Sequence, residues 1–324
     1  MFDALKSKIA GKDIRIVFPE AMDPRVLGAV VRLKRENLLE PVLLGNPDEI
    51  NESAKAQGFD LTDIEIHDPK NYDKYDEMVA SFVERRKGKA TEEQAREMLQ
   101  DVNYFGTMLV YMDVVDGLIS GAIHSTSDTV RPALQIVKTR PGVNLTSGAF
   151  IMLRKNDRFL FSDCAINPDP NAEQLAEIAV ESARTAEIFD IDPKVALLSF
   201  STKGSGKGPM VDKVREATEI AKENAPELAL DGELQFDSAF DTTVAQQKAP
   251  ESDVAGVANV FVFPELQSGN IGYKIAQRLG GFEAIGPILQ GLNKPIADLS
   301  RGCIEEDVYK LSIITANQAL LNDK

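Results

Sequence analysis

The sequence predicts an α/β protein of two domains with mostly parallel sheets. Short apolar segments alternate with amphipathic ones along most of the chain, which is the order of strands and helices around a parallel sheet. A length of 324 residues is large for one hydrophobic core, and 43% hydrophobic residues supply enough apolar side chains for two.

The first part of the chain is predicted to contain four strands separated by helices. Proline 24 suits the first turn of the earliest of these helices, where its missing N–H costs no hydrogen bond. The predicted strands are residues 14–18, 41–44, 64–67 and 117–120, and the helices are a segment from Pro24 and residues 75–87, 91–99 and 103–112.

The second part opens with a predicted hairpin and then returns to alternation. Two apolar segments, 148–153 and 158–161, flank a short polar turn, which favours an antiparallel pair. Further strands are predicted at 195–200 and 257–263, and helices at 173–189, 210–223, 271–279 and 304–320.

The predicted domain boundary follows the helix that ends near Arg140-Pro141-Gly142, a strong helix-breaking sequence. We expect the final helix to return to the first domain. The predicted domains are therefore residues 1–139 plus 298–324, and residues 140–297, with a cleft between them.

Charge and cysteine content narrow the classes of partner. The net charge of −15 argues against broad attraction to nucleic acid or an anionic membrane. Two cysteines without CxxC spacing argue against a disulfide framework and against a zinc site. The N-terminus has no apolar signal-peptide core and no segment approaches membrane-helix length, so we expect a cytoplasmic protein.

The segment GAIHSTSDTVRP, residues 121–132, leads from a strand into a helix and carries several hydroxyl side chains and an arginine. Hydroxyls, free N–H groups and a guanidinium together suit an anion site. The same residues are also typical of a strong helix N-cap, and both interpretations stay open. His124 is expected to be a hydrogen-bonded structural residue, with no catalytic role assigned.

Two further glycine-containing segments are candidates for binding an anionic substrate. The segment SFSTKGSGKG, residues 199–208, fails both the P-loop and the GxGxxG patterns, which favours a flexible basic loop over an ATP site. The segment QSGNIGYK, residues 267–274, suits a tight loop between a strand and a helix, and its Tyr273 and Lys274 could donate to an anion.

The segment PIADLSRGCIEED, residues 295–307, places a serine and an arginine before a helix that opens with three acids. Acids at a helix N-terminus complement its dipole, so a structural interpretation suffices. A functional role needs one carboxylate to face the cleft. Asp307 borders the apolar face of the helix, whereas Glu305 and Glu306 are expected to be solvated.

Four segments resemble the phosphate acetyl/butyryltransferase family in family order. They are IVFPEAMDPRVL at 16–27, DGLISGAIHSTSDTVRPALQIVKT at 116–139, PELQSGNIGYKIAQRL at 264–279 and EAIGPILQGLNKPIADLSRGC at 283–303. The resemblance implies two α/β domains of the isocitrate/isopropylmalate dehydrogenase type, an active-site cleft between them and a homodimer.

The resemblance also implies residue roles. Asp307 would accept the coenzyme A thiol proton, Ser300 would position or stabilise the reacting groups, and Arg301 would bind phosphate. Arg131, and Arg85 or its neighbour Arg86, would bind coenzyme A or the acyl phosphate. The other residues expected to line the substrate site are Ser125, Thr126, Ser127, Thr129, Asn270, Tyr273, Lys274 and Cys303.

The implied reaction is reversible transfer of acetyl between acetyl phosphate and coenzyme A. Direct thiolate attack in a ternary complex requires no metal and no tightly bound cofactor, and coenzyme A, acetyl phosphate and phosphate would be the small-molecule partners. The mechanistic rival is an acetyl-Cys303 intermediate. The alternative functions are butyryl transfer, an inactive coenzyme A sensor, and a decarboxylating dehydrogenase on the same architecture. For the dehydrogenase, the sequence shows neither metal-binding aspartates nor a nicotinamide site.

Overall fold

A computed structural model describes residues 1–322, which form two compact units. The first unit comprises Met1–Pro141 and the C-terminal segment from Leu292, and the second comprises Gly142–Gly291. Residues 292–297 belong with the first unit because a short strand there joins its sheet, whereas the sequence prediction placed that junction at residue 298.

The strands are short and largely buried. In chain order within residues 1–322 they are β1 (Arg15–Phe18), β2 (Glu40–Leu44), β3 (Glu65–His67), β4 (Gly117–Ser120), β5 (Ser147–Arg154), β6 (Asp157–Ser162), β7 (Lys194–Leu198), β8 (Ala229–Leu234), β9 (Val260–Val262), β10 (Glu283–Gln290) and β11 (Ile296–Asp298).

The helices of the first unit are α1 (Phe2–Ile9), α2 (Pro24–Arg35), α3 (Pro47–Ala56), α4 (Tyr75–Arg86), α5 (Glu92–Met98), α6 (Val102–Tyr111) and α7 (Thr126–Pro132), which continues into a π-helical segment, Ala133–Val137. Those of the second unit are α8 (Ala172–Ile188), α9 (Pro209–Asn224), α10 (Phe236–Phe240), α11 (Thr242–Lys248) and α12 (Leu266–Arg278). The last helix, α13 (Glu305–Asn322), lies in the first unit. No helix within residues 1–322 is both long and apolar enough to cross a membrane.

The first unit is built on a five-stranded parallel sheet in the order β11-β4-β1-β2-β3. Because all five strands run the same way, their carboxyl ends meet at one edge, where ligands bind in sheets of this kind. The ends of β1, β4 and β11 are adjacent, and Asp298 lies opposite Ser120 in the register. The polar segments that follow these strands therefore converge at this edge.

Helix α2 begins at the start predicted from Pro24. The Asp23 side chain accepts a hydrogen bond from the Arg25 N–H, and Pro24 occupies the first turn. Val26, Leu27 and Val30 are buried. Helix α13 packs against α1 and α2, so the C-terminal helix belongs to the core of the first unit.

The second unit has a six-stranded sheet in the order β10-β5-β6-β9-β7-β8. Strands β5 and β6 form an antiparallel pair in which Arg154 faces Asp157, as the hairpin prediction required. The β6, β9, β7 and β8 pairings are parallel, and only β10 and β5 add another antiparallel pair. Both sheets together are mostly parallel, as the sequence predicts.

One predicted loop is a helix. Residues 267–274 lie within α12, which starts at Leu266 because the Glu265 carboxylate caps the N–H groups of Gln267 and Ser268. Gly269 fits inside this helix because the backbone oxygen of Asp163 passes close by, and a methyl group there would approach it to 2.3 Å. The glycine therefore allows close packing rather than a turn.

Candidate active site

Two loops at the carboxyl edge of the first sheet, together with the starts of the helices that follow them, carry most of the predicted site residues. The His124 loop, residues 121–124, connects β4 to α7, and the Ser300 loop, residues 299–304, connects β11 to α13. Ser300 and Arg301 are exposed in the second of these loops. The paired ends of β4 and β11 bring the two loops to neighbouring positions.

The hydroxyl groups at the start of α7 have separate partners. Ser125 forms a capping box: its hydroxyl oxygen accepts from the Asp128 N–H, and Asp128 Oδ2 accepts from the Ser125 N–H at 3.0 Å. The Ser125 hydroxyl also donates to Asp128 Oδ2 at 2.7 Å. The Ser127 hydroxyl oxygen accepts from Nη2 of Arg131 at 2.9 Å. Thr129 is buried, with 1% exposure. The N-cap interpretation is thus correct for Ser125, while Ser127 and Arg131 form an exposed donor pair on the helix.

Thr126 joins the start of α7 to the end of β11 through Asp298. Its hydroxyl donates to Asp298 Oδ2 at 2.7 Å, and Asp298 ends β11 two residues before Ser300. The Asp298 side chain is 1% exposed, and this burial raises its pKa to about 6, although the Thr126 hydroxyl acts in the opposite direction. A methyl group at Gly121, where φ is +107°, would lie 2.6 Å from Asp298 Oδ1, so the close approach requires glycine.

Glu20 fixes the backbone of the His124 loop. Its carboxylate accepts hydrogen bonds from the N–H groups of Ala122, Ile123 and His124 at 2.7, 2.8 and 2.8 Å. It also lies 2.8 Å from Nδ1 of His124. Glu20 is 3% exposed, so these donors replace the water that a buried carboxylate loses.

Arg25 connects the His124 loop and the Ser300 loop by hydrogen bonds to their main-chain oxygens. One terminal nitrogen, Nη2, donates to the Ala122 oxygen at 2.8 Å, and the other, Nη1, donates to the oxygens of Arg301 and Cys303 at 2.9 and 3.0 Å. The guanidinium is oriented by Asp23, which accepts from Nε at 2.9 Å and Nη2 at 2.7 Å. Five donors in a fixed plane allow one arginine to hold three carbonyls at once.

The three acids at the start of α13 differ in their surroundings. The Glu306 carboxylate accepts from Arg32 at 2.6 Å, and Glu305 lies over Gly28, where a methyl group would come within 2.5 Å of its carboxylate. Both therefore face α2. Asp307 Oδ2 accepts from the Ile304 N–H at 2.9 Å, and Oδ1 makes no hydrogen bond within residues 1–322.

Cys303 is a buried thiol. Its side chain is 6% exposed, and burial raises its pKa to about 11; the Asp307, Asp23 and Glu20 carboxylates act in the same direction, while the Arg25 guanidinium opposes them. The thiolate is therefore disfavoured at neutral pH, and the thiolate is the nucleophilic form of cysteine. Across residues 1–322, no cluster of three or more histidine, cysteine, aspartate or glutamate side chains is arranged to hold a metal ion.

Comparison with known proteins places the chain in a family. The sequence profile described as phosphate acetyl/butaryl transferase matches residues 1–316. The chain belongs to this family. Phosphate acetyltransferase of Bacillus subtilis (strain 168) is 61% identical over 320 residues, which cover 99% of each chain. This phosphate acetyl/butaryl transferase family member is therefore an acyltransferase, in agreement with the resemblance seen in its sequence.

Solved structures support the family fold. A phosphotransacetylase from Streptococcus pyogenes has a TM-score of 0.97 at 64% identity, covering 99% of this chain and 98% of that one. A Salmonella typhimurium protein described as a 4-hydroxythreonine-4-phosphate dehydrogenase has a TM-score of 0.56 at 12% identity, with 95% and 99% of the two chains covered. The latter similarity concerns the fold alone, and the predicted dehydrogenase-like architecture is confirmed.

The arginine pair at the end of α4 differs in its hydrogen bonding. Arg85 donates from Nε to the Ile136 oxygen at 2.5 Å and from Nη2 to the Val137 oxygen at 3.0 Å, which ties α4 to the π-helical segment. Arg86 has a buried Nε with no hydrogen-bond partner among the described residues. The binding of substrate by Arg85 or by its neighbour Arg86 stays a prediction.

The remaining predicted site residues lie on α12 of the second unit. Asn270 donates to the Cys164 oxygen at 3.1 Å and accepts from Lys274 at 2.8 Å. The Tyr273 ring stacks on Phe150, with the ring centres 4.1 Å apart. All of these contacts are made within the second unit. The part of these residues in substrate binding stays a prediction.

The glycine-rich segment 199–208 is held by acidic side chains of the second unit. The Gly204 N–H and the Ser201 hydroxyl donate to Glu233 Oε1 at 2.7 and 2.8 Å, and Lys203 donates to Asp231 at 2.7 Å. These three donors thus have partners within the unit, consistent with a structural loop rather than a nucleotide site.

Residues that support the site were missed by the sequence interpretation, although they lie in segments that carried the resemblance. They are Glu20, Asp23, Arg25 and Asp298. The sequence signal that could have found them is their position. Glu20, Asp23 and Arg25 follow the predicted strand 14–18, and Asp298 precedes the Ser300 loop. Polar residues after adjacent parallel strands meet at one sheet edge.

Proposed function

We propose that this chain is a phosphate acetyltransferase that transfers an acetyl group reversibly between acetyl phosphate and coenzyme A. The observation that carries the proposal is its 61% identity with the phosphate acetyltransferase of Bacillus subtilis over 99% of both chains. A butyryl donor is the nearest alternative substrate, and a difference of a few methylenes in an apolar pocket gives moderate discrimination.

We assign the role of general base to Asp307. Arg32 holds Glu306 against α2 and Glu305 lies over Gly28 of the same helix, whereas Asp307 Oδ1 has no hydrogen-bond partner among residues 1–322. Asp307 would take the proton of the coenzyme A thiol, and the resulting thiolate would attack the acetyl carbonyl carbon. Inorganic phosphate then leaves and acetyl-coenzyme A forms.

Ser300 and Arg301 supply the complementary charge. Arg301 would bind the phosphate group, and Ser300 would donate a hydrogen bond to the oxyanion that develops on the carbonyl oxygen. Removing one donor of this kind typically costs about 3 kcal/mol of transition-state stabilisation. Arg131, together with Arg85 or Arg86, would bind the acyl phosphate or the phosphate groups of coenzyme A.

The high pKa of Cys303 supports direct transfer over an acetyl-cysteine intermediate. The proposed reaction needs neither a metal ion nor a tightly bound cofactor, so activity should persist in excess EDTA. The cytoplasmic location predicted from the sequence stays part of this proposal.

We further propose a homodimer, as the family resemblance implies. Helix α12 and its C-cap residue expose Ile271, Ile275 and Leu279, which recur every four residues and form one apolar stripe. A second copy covering this stripe would remove it from water. Sedimentation should give twice the 35.5 kDa chain mass, and Ile275→Glu should shift it towards the monomer.

The function is tested by thioester absorbance with purified protein, acetyl phosphate and coenzyme A. We expect rapid turnover in EDTA, with kcat/KM for acetyl phosphate above that for butyryl phosphate. Asp307→Asn retains an oxygen that can accept from the Ile304 N–H, so the helix cap survives while kcat falls about 10²–10⁴-fold.

The matched control is Glu305→Gln, which removes a neighbouring charge from the same helical turn and should stay within threefold of the unmodified protein. Equal losses in both variants would contradict the choice of base. Absence of turnover with either donor would overturn the transferase proposal and favour the sensor alternative.

A further inference from the structure

The Glu20–His124 pair determines which ring nitrogen of the histidine is free. The Glu20 carboxylate lies 2.8 Å from Nδ1 and accepts three main-chain N–H groups around it. A carboxylate in this environment accepts hydrogen bonds, so Nδ1 carries a proton and donates it. The neutral ring is therefore the Nδ1–H tautomer, and Nε2 is its acceptor atom.

Nε2 of His124 is available to a bound molecule. It makes no hydrogen bond to any residue in the described range 1–322, and the side chain is 27% exposed, whereas that of Glu20 is 1% exposed. The buried carboxylate thus anchors one side of the ring while the other side remains accessible. An orienting acid behind a histidine is the arrangement by which enzymes hold an imidazole for proton transfer.

The position of His124 connects it to the proposed phosphate-binding loop. Arg25 donates to the oxygen of Ala122, two residues before His124, and to the oxygen of Arg301. One guanidinium therefore holds the loop of the histidine and the loop of the proposed phosphate ligand. The charged groups near the ring are Glu20, Asp128 at the start of α7 and the Arg25 guanidinium behind Glu20.

The chemistry of acetyl transfer requires a proton at the departing phosphate. When the thiolate sulphur bonds to the carbonyl carbon and the carbon–oxygen bond to phosphate breaks, the phosphate of an acetyl phosphate dianion would leave as a trianion. A proton delivered to the bridging oxygen lets it leave as hydrogen phosphate, which is a far better leaving group. Asp307 takes up the thiol proton in the proposed mechanism, so the bridging oxygen must receive a proton either from Asp307 itself or from a second group of the site.

We propose that His124 is the general acid for the departing phosphate, an inference that rests on the proposed acetyl transfer. The imidazolium donates Nδ1–H to Glu20 and transfers the Nε2 proton to the bridging oxygen, leaving the neutral Nδ1–H tautomer. Coenzyme A thiol and acetyl phosphate dianion thus give acetyl-coenzyme A and hydrogen phosphate dianion, and proton exchange with water returns Asp307 to its carboxylate and His124 to its imidazolium. In the reverse direction Nε2 takes the proton from the attacking hydrogen phosphate.

Two variants separate proton transfer from hydrogen bonding. His124→Asn places an amide nitrogen near the Nδ1 position, so the donor to Glu20 is kept and Nε2 is lost. His124→Gln instead reaches towards the Nε2 position with an amide that donates a hydrogen bond but transfers no proton. We expect kcat to fall about 10²–10³-fold in both, with an unchanged KM for coenzyme A.

The chain contains only two histidines, so His67→Gln is a matched control. His67 ends β3 and lines a surface pocket with Asn46, Asn71 and Tyr72. This variant should keep normal kcat. In ¹⁵N-histidine spectra it also assigns the two rings, and we expect inorganic phosphate to shift the Nε2 resonance of His124 and to leave that of His67 in place.

The outcomes distinguish this inference from the proposed function. Thioester formation by the unmodified protein, with His124→Asn and His124→Gln both within threefold of it, would overturn the acid role and leave acetyl transfer intact. An active His124→Gln beside an inactive His124→Asn would show hydrogen bonding only and would equally overturn it. An inactive unmodified protein would instead count against the transferase proposal itself.

Discussion

Nη1 of Arg25 lies 2.9 Å from the main-chain oxygen of Arg301, a residue 276 positions later in the chain. Helix α2, which follows the first strand of the parallel sheet, thereby holds the Ser300 loop that precedes α13. The same side chain holds the oxygen of Ala122. The geometry of the two loops at the sheet edge therefore depends on Arg25, which belongs to neither loop.

Arg25→Ala should impair turnover and lower the stability of the first unit. The substitution leaves three carbonyl oxygens without their donor, at about 1–3 kcal/mol for each one that water does not reach, and it loosens both loops. We expect kcat to fall at least about 10-fold, because displacements near 1 Å impair catalysis strongly. Arg25→Lys should recover only part of this loss, since an ammonium cannot span both loops.

The control for Arg25 is Arg96→Ala, which removes an exposed arginine paired with Asp76 and Glu92 on the same unit. Exposed ion pairs contribute about 0–1 kcal/mol, so its kcat and melting temperature should barely change. Steady-state rates and circular dichroism melting curves measure both variants. Normal kcat in Arg25→Ala would show that the loops hold their arrangement without it.

The fold was predictable where the sequence pattern is long and periodic. Strand β4 was predicted with its observed bounds, and the β5–β6 hairpin and α13 lie where periodicity placed them. Strands β8, β10 and β11 were missed. β8 carries Asp231 and Glu233, and β10 contains Gly286 and Pro287, so neither has the apolar character that marks a strand. Their pairing partners decide their conformation, and these lie far away in the sequence.

The candidate site was predictable only in part. Residues such as Ser300 and Arg301 were found through the resemblance, whereas Glu20 and Asp298 were not. Their importance depends on burial and on partners about 100 to 170 positions away. A polar residue after a strand looks the same in sequence whether it faces water or holds a loop. Only the sheet order β11-β4-β1 shows that these residues share an edge.

Cys303→Ala should retain near-normal kcat. With its pKa at about 11, the thiol is almost entirely protonated at pH 7.5, and direct transfer needs no cysteine nucleophile. The buried position implies a modest loss of stability, about 1 kcal/mol, from the lost sulphur contacts. Mass spectrometry of the unmodified protein quenched during turnover with acetyl phosphate should show no acetylated Cys303. A kcat reduced 10²-fold or more with the fold intact would favour the acetyl-cysteine rival.

Asp298 should make the first unit less stable as the pH rises. Burial raises its pKa from the ordinary 3.8 to about 6, so the folded state binds the proton more tightly than the unfolded state does. Stability linked to this group is therefore fully present below pH 4 and is lost as the pH rises through 6. The shift corresponds to about 3 kcal/mol at neutral pH.

Asp298→Asn tests this pH dependence. The amide oxygen can still accept from Thr126, and the buried charge is gone, so the variant should be more stable than the unmodified protein at pH 8 and comparable at pH 4. The chain has no tryptophan, so urea unfolding is followed by circular dichroism. Exposed Asp73, changed to Asn, is the control and should give no such gain. A variant destabilised equally at both pH values would show that packing, not charge, governs the site.

Asp231 should have the opposite effect in the second unit. Burial alone would raise its pKa, but hydrogen bonds from the Lys203 and Lys222 ammonium groups, at 2.7 and 2.8 Å, outweigh it and hold the pKa at about 2. The folded state thus binds the proton less tightly than the unfolded state. The linked stability, about 2 kcal/mol, is present above pH 4 and is lost as the pH falls through 2.

Asp231→Asn should remove this contribution at pH 7, and hydrogen exchange of β7 and β8 should then accelerate about 10–30-fold, as expected for about 2 kcal/mol of lost protection. The control Asp192→Asn removes a carboxylate that is 85% exposed and pairs with Lys194 at 3.1 Å, so exchange in the same strands should change little. At pH 2 the unmodified protein and Asp231→Asn should converge. A difference that persists undiminished at pH 2 would mean that the aspartate stabilises β8 through packing rather than through its two lysine partners.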